Sequence, residues 1–229
     1  MHVPDGFLNV PTSIATGVVA AAGIAAALPL ARKEAADDRK APMVGIVATL
    51  IFAVQMINFP VGAGTSGHLM GGALAAVLVG PATGLLCLSV VLIVQAFLFA
   101  DGGLTALGTN ITLIGIVTVV VGWWVFRAVV AILPPRRWAI VAGAALGGFV
   151  SVPVAAAVFA LLFTVGGTVS VPSGAVFAAM VGWHTVIGVG EAVITALIVS
   201  AVLATRPDLV YGARFARRPR VGVTEGVIA

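Results

Sequence analysis

The chain has 229 residues, 61% of them hydrophobic and only 9% charged, with a formal net charge of +4 and a mean hydropathy of +1.19. A soluble domain carries roughly 25% charged residues, so a soluble enzyme is excluded. Apolar stretches of bilayer length recur along the whole sequence and predict one all-α, polytopic membrane domain covering residues 1–229. Cys87 is the only cysteine, which excludes an internal disulfide and makes a cysteine-based metal site implausible.

The N-terminal segment, residues 1–11, begins MHVPDG. A cleavable secretory signal would start with Lys or Arg ahead of its apolar core. Here His2 follows Met1 directly. A free α-amine, the His2 backbone amide and His2 Nδ1 offer three nitrogens in series, closing a five-membered and a six-membered chelate ring. Flat nitrogen sets favour Ni(II) or Cu(II), and Co(II) shares the preference for nitrogen with lower affinity. A fourth nitrogen would come from another imidazole, and His68 and His184 are the two that remain. Methionine is retained when a large residue such as His2 follows it. The α-amine titrates near pH 8, so metal binding displaces a proton and weakens in acid.

The first span runs from about Thr12 to Ala31, as TGVVAAAGIAAALPL, with Ala and Gly three and four apart. Such a stripe is an association surface in lipid, for neighbouring helices or for a partner subunit. RKEAADDRK (32–40) reads as a solvated charge run. Residues 42–58 form the second span, and FPVGAGTSG (59–67) is a Gly-rich break. Residues 68–80 are apolar but short for a crossing. Residues 81–100 span again, DGGLTALG (101–108) breaks, residues 109–133 cross, and PPRRW turns the chain. Residues 139–165 span, 166–174 form a loop, and 175–204 make the last crossing before a basic tail at 205–229.

Charge decides the short element. If residues 68–80 cross, there are seven transmembrane helices and all twelve Lys and Arg fall on one side: Arg32, Lys33, Arg39, Lys40, Arg127, Arg136, Arg137, Arg206, Arg214, Arg217, Arg218 and Arg220. The positive-inside rule makes that side cytoplasmic. The N-terminus is then outside, the C-terminus cytoplasmic, and the high pI reports topology rather than nucleic-acid binding. His2, Asp5, His68 and Asp101 gather on the outer side.

Four polar groupings remain. GTSGHLMGG places His68 between glycines that let another segment approach closely, and intramembrane histidines usually mark function. QAFLFADGGLTALGTNI carries Gln95, Asp101 and Asn110. Asp101 before two glycines reads most simply as a turn, with a carboxylate supporting a ligating histidine as the other reading. For Gln95 and Asn110, shaping a site and bonding between helices both stay open, and Asp5 is a further candidate beside the ligands. WHTVIGVGEAVIT puts His184 and Glu191 on one helical face two turns apart. They form either a proton relay, serving a proton-coupled secondary metal carrier, or a structural lock, which Gly188 and Gly190 favour. No P-loop and no H-E-x-x-H occurs, so the chain is not read as an enzyme and any ATP hydrolysis falls to partner proteins.

Taken together, MHVPDGFL, NFPVGAGTSGHLMGG, QAFLFADGGLTALGTNI and HTVIGVGEAVITAL resemble the CbiM/NikM family, the substrate-specific (S) membrane components of energy-coupling-factor transporters for cobalt or nickel. The resemblance covers nearly the whole chain to about Leu203. It implies seven helices, with an N-terminal segment folded back into the bundle in the cell membrane. It also implies a near-planar nitrogen site from Met1, His2 and His68 for Co2+ or Ni2+ as transported substrate, with cobalt supply for cobalamin synthesis expected. Implied partners are a coupling transmembrane (T) subunit, to which the small-residue first helix would present itself, a pair of ATPases and a small accessory membrane protein, which is not fused to this chain.

Overall fold

A computed structural model describes residues 1–34, 41–62 and 65–216. Among the described residues five helical rods are long and apolar enough to cross a membrane: α1 (Val10–Glu34), α4 (Pro81–Leu98), the rod Leu107–Ile132, α7 (Arg137–Gly166) and α8 (Ser173–Thr205). The rod Leu107–Ile132 consists of α5 (Leu107–Asn110), a π-helical stretch (Ile111–Val117) and α6 (Thr118–Ile132). Two apolar helices are shorter, α2 (Ala41–Gln55) and α3 (Gly72–Val79). At 1.5 Å per residue α3 is about 12 Å long, well short of a bilayer core of about 30 Å. Every one of its eight residues is buried, and α2, α4, α6, α7 and α8 surround it. It is the central post of the bundle.

Alternating direction follows from the contacts at each end. At one end Glu34, closing α1, meets the start of α4 at Ala82 and Thr83, and Tyr211 beyond α8. At the other, the Asn9 N–H donates to the Gly166 carbonyl at 2.7 Å, tying the start of α1 to the end of α7, and the Thr16 and Thr109 hydroxyls meet at 2.7 Å. The chain therefore returns to the Glu34 end at the junction of α3 and α4.

The structure revises two sequence expectations. The Gly-rich break is a two-stranded antiparallel hairpin, β1 (Phe59–Gly62) and β2 (Thr65–Gly67), so the domain is helical with one small sheet rather than wholly α. The charge run 32–40 is not solvated throughout: Glu34 is buried, because its carboxylate accepts the N–H groups of Ala82 and Thr83 in the first turn of α4. Residues 35–40, and the tail beyond Ala216, lie outside the described residues. Of the small residues of α1, Thr16, Ala20, Ala27 and Ala31 face inward, against α4 and α5 of the same chain, while Ala15, Ala21, Ala22, Ala25 and Ala26 are exposed. The other face of α1 carries exposed Val10, Ile14, Val18 and Leu30, as lipid contact requires. Cys87 is buried in the core, as expected.

Candidate metal centre

The N-terminal peptide enters the bundle. Met1 and Val3 are 2% and 1% exposed, and His2 is 8%. Asn110 explains the route. Its Oδ1 accepts the Val3 N–H at 2.7 Å and its Nδ2 donates to the Val3 carbonyl at 3.2 Å, so one side-chain amide satisfies both backbone groups of a buried extended residue. The Gly103 N–H adds a second donor to that carbonyl at 2.9 Å. Asn110 stands where α5 passes into the π-helical stretch, a departure from α geometry that recurs at functional sites. The bonds of Asn110 go to the N-terminal peptide.

The turn after α4 closes over this peptide. Gly102 has φ +89, and a Cβ there would meet Asn110 Nδ2 at 2.9 Å and the His2 ring at 3.2 Å. Asp5 is exposed, and its Oδ1 accepts the Thr105 N–H at 2.7 Å and the Thr105 hydroxyl at 2.5 Å. Those donors, the hydroxyl first, hold the Asp5 carboxyl below its ordinary value. Asp5 thus staples the peptide to the turn rather than lying beside the ligands.

Asp101 combines the turn with a histidine contact. Its carboxylate faces His2, with Oδ1 3.2 Å from His2 Nδ1. Asn58 Nδ2 reaches its other oxygen at 3.4 Å. Burial pushes the Asp101 carboxyl up, yet His2, the Met1 amine and Asn58 together hold it below the usual carboxylate range. Nothing in DGG announces this, since the partner is 99 positions away.

His68 is fully buried and its ring stacks on that of His2, with centroids 4.4 Å apart and planes 26° from parallel. His68 Nδ1 lies 2.8 Å from the Leu69 carbonyl. A carbonyl only accepts, so Nδ1 carries the proton and Nε2 presents a lone pair. That Nε2 has no hydrogen-bond partner. His184 repeats the pattern, with Nδ1 2.8 Å from the Met180 carbonyl and Nε2 buried and unpartnered. It is near enough to Met1 and His68 for their charges to reach it. Gln95, also fully buried, supports His2 from α4, and its amide forms no ordinary hydrogen bond.

Electrostatics favour neutral donors. Burial holds the Met1 α-amine well below its ordinary value of 8.0, against the pull of Asp101. Burial likewise lowers His2 below 6.5, with Asp101 and Gln95 opposing it. Both shifts favour the unprotonated form that a metal requires. Among the described residues no group of three His, Cys, Asp or Glu side chains is close enough to hold an ion.

Glu191 lies on the buried face of α8 with His184, as their spacing predicts. Its oxygens accept the Met70 and Gly71 N–H groups at 2.6 and 2.7 Å. Gly188 is tightly packed, where a Cβ would meet the Phe149 carbonyl oxygen at 2.8 Å, whereas Gly190 has room, with only Leu69 at 3.9 Å.

Residues 2–209 match the family model described as the cobalt uptake substrate-specific transmembrane region, CbiM. A cobalt transport protein CbiM of Sorangium cellulosum is 34% identical over 91% of this chain and 94% of its own length. A fused nickel transport protein NikMN of Rhodobacter capsulatus is 32% identical, over 96% of this chain and 66% of that protein. A crystal structure of a truncated transition metal transporter superposes with a TM-score of 0.81 at 28% identity, covering 89% of this chain and 99% of the other.

Proposed function

The chain belongs to the CbiM family of cobalt-uptake substrate-specific transmembrane regions, and on that premise we propose that it captures Co2+ or Ni2+ from outside the cell as the S component of an energy-coupling-factor transporter. It is a multi-pass membrane protein, and its relatives are named as cobalt and nickel transport proteins. In this reading the ion is held by the Met1 amine, the His2 amide and Nδ1, and His68 Nε2.

The buried, unpartnered His68 Nε2 stacked against a buried N-terminal His2 is the observation that carries the site. A buried polar atom without a partner costs about 1–3 kcal/mol, and a cation offsets that cost. Taking the ion requires His2 Nδ1 to exchange Asp101 for metal. Loss of the amide proton then lowers the charge carried into low dielectric, where an isolated ion is very costly.

We place the N-terminus outside and the C-terminus in the cytoplasm, following the one-sided basic residues. The third of seven passes would comprise the hairpin, residues 68–71 and the short α3. An ATPase pair and a coupling T subunit would then drive the bundle to release the ion inward. Against a proton relay stands Glu191, whose two oxygens are both engaged by backbone donors.

The test is a Co(II) and Ni(II) titration of purified, untagged protein beside a version carrying residues ahead of Met1. The extension is expected to cost a hundredfold or more in affinity, since loss of supporting residues alone costs about 10–100-fold. Equal affinity in both would overturn the site. Vesicles holding this protein alone are expected not to concentrate the metal under a pH gradient, whereas a proton-coupled carrier would.

A further inference from the structure

His68 sits on a peptide with little regular structure, between β2 and α3, and that peptide is held from two helices distant in sequence. From α8, Glu191 accepts the Met70 N–H on Oε2 and the Gly71 N–H on Oε1. From α2, Gln55 Nε2 donates to the Met70 carbonyl at 2.7 Å. Gln55 and Glu191 are 1% and 2% exposed, and they line one small cavity with Met70 and Gly71. The peptide linking Leu69 to Gly71 therefore has its donors and its acceptor gripped at once. The Leu69 carbonyl in turn receives His68 Nδ1–H. A continuous chain of contacts runs from Glu191 through the Met70 amide and the Leu69 carbonyl to the imidazole plane.

Capping alone does not account for a carboxylate here. The residue ahead of α3 is Gly71, with φ +80 and no side chain to cap the helix, so some acceptor must come from elsewhere. A neutral side chain on the preceding turn would serve that need at far smaller desolvation cost than a buried carboxylate. What a carboxylate adds is two equivalent acceptors. An amide in its place would accept one N–H and turn its NH2 group on the other. Ligating histidines are commonly oriented through the ring nitrogen that does not bind metal, and loss of such support costs about 10–100-fold in metal affinity.

We propose that Glu191 and Gln55 are positioning residues that clamp the Met70–Gly71 peptide so that His68 Nε2 completes the nitrogen set around the transported ion. The proposal rests on His68 being a ligand and extends that reading to helices α2 and α8. Metal recognition is then tied directly to the packing of two helices around α3.

Ni(II) titration of untagged Glu191→Gln, read by visible absorption, tests it beside wild type and His68→Ala. The clamp predicts a 10–100-fold loss of Ni(II) affinity in Glu191→Gln, with the absorption of the bound ion moved to that of His68→Ala, because the imidazole leaves and the N-terminal nitrogens stay. Gln55→Leu should move both readouts the same way by less. A Glu191→Gln protein that binds Ni(II) with wild-type absorption and affinity overturns the proposal, even if it melts earlier, since a purely structural lock would do just that. If Glu191→Gln fails to fold, Gln55→Leu decides by the same spectral comparison. Unchanged absorption in His68→Ala itself would remove the ligand reading, and the proposal with it.

Discussion

The two ends of the bundle each bury a constellation of polar groups, and they treat them oppositely. At the Glu34 end the carboxylate is saturated. It accepts the Ala82 N–H at 3.3 Å, the Thr83 N–H at 2.8 Å, the Thr83 hydroxyl at 2.9 Å and the Tyr211 hydroxyl at 3.3 Å. A Cβ on Gly80, at φ +103, would run into Glu34 at 2.5 Å, so nothing else fits there. At the N-terminal-peptide end, His68 Nε2 and His184 Nε2 are buried with no partner. Buried polar groups are nearly always satisfied, and exceptions need a reason. The saturated end is a joint, and the unsaturated end keeps the bare nitrogens that the proposed metal site would use.

That contrast breaks most sharply under mutation. Replacing His2 by Ala removes the imidazole of the chelate, and we expect a hundredfold or greater loss in Co(II) and Ni(II) affinity, with little change in melting temperature of the metal-free protein. Replacing Glu34 by Ala should do the reverse. It strands the Ala82 and Thr83 N–H groups, at about 1–3 kcal/mol each, so thermal unfolding in detergent should come earlier while metal affinity of the folded fraction stays put. If Glu34→Ala weakens metal binding as much as His2→Ala, the two ends are one cooperative site and the division fails.

Smaller effects sharpen the comparison. Asp101→Asn keeps the turn and removes the charge that faces His2 Nδ1, and about a tenfold loss of affinity is expected by titration. Asp5→Ala frees only the staple to Thr105. The site is exposed, so after solvent screening the cost is about 1 kcal/mol or less, visible as faster proteolysis of the N-terminal segment. Acid should mimic it. The folded carboxyl lies below its ordinary 3.8, so the staple is intact above that value and is lost as pH falls through the lowered one. Persistence of wild-type protease resistance in Asp5→Ala would show that the other contacts, Asn110 and Gly103 on Val3 and Thr168 on Gly6 and Phe7, suffice to hold the peptide.

Much of the helical order is legible in the sequence because bilayer-length apolar runs leave few alternatives. The predicted ends of α4, α7 and α8 lie within a few residues of the observed ones. The element that periodicity describes worst is residues 68–80, where a short α3 is preceded by an irregular peptide. Its conformation depends on Gln55 and Glu191, which lie at least 13 and 120 positions away, so no local pattern encodes it. The same distance hides Asp101 as the neighbour of His2 and Glu34 as the cap of α4.

By itself the sequence determined the membrane class, the order of the apolar rods and the residue types able to bind a transition metal, because composition and nitrogen chemistry are local properties. The family resemblance had already grouped Met1, His2 and His68; only the tertiary structure decided how the His2 and His68 rings meet, which histidine nitrogen is left bare, and which carboxylate stands beside which group. Those outcomes are set by packing between segments about a hundred positions apart, where the geometry of one amide or one carboxylate selects among partners that the sequence leaves equivalent.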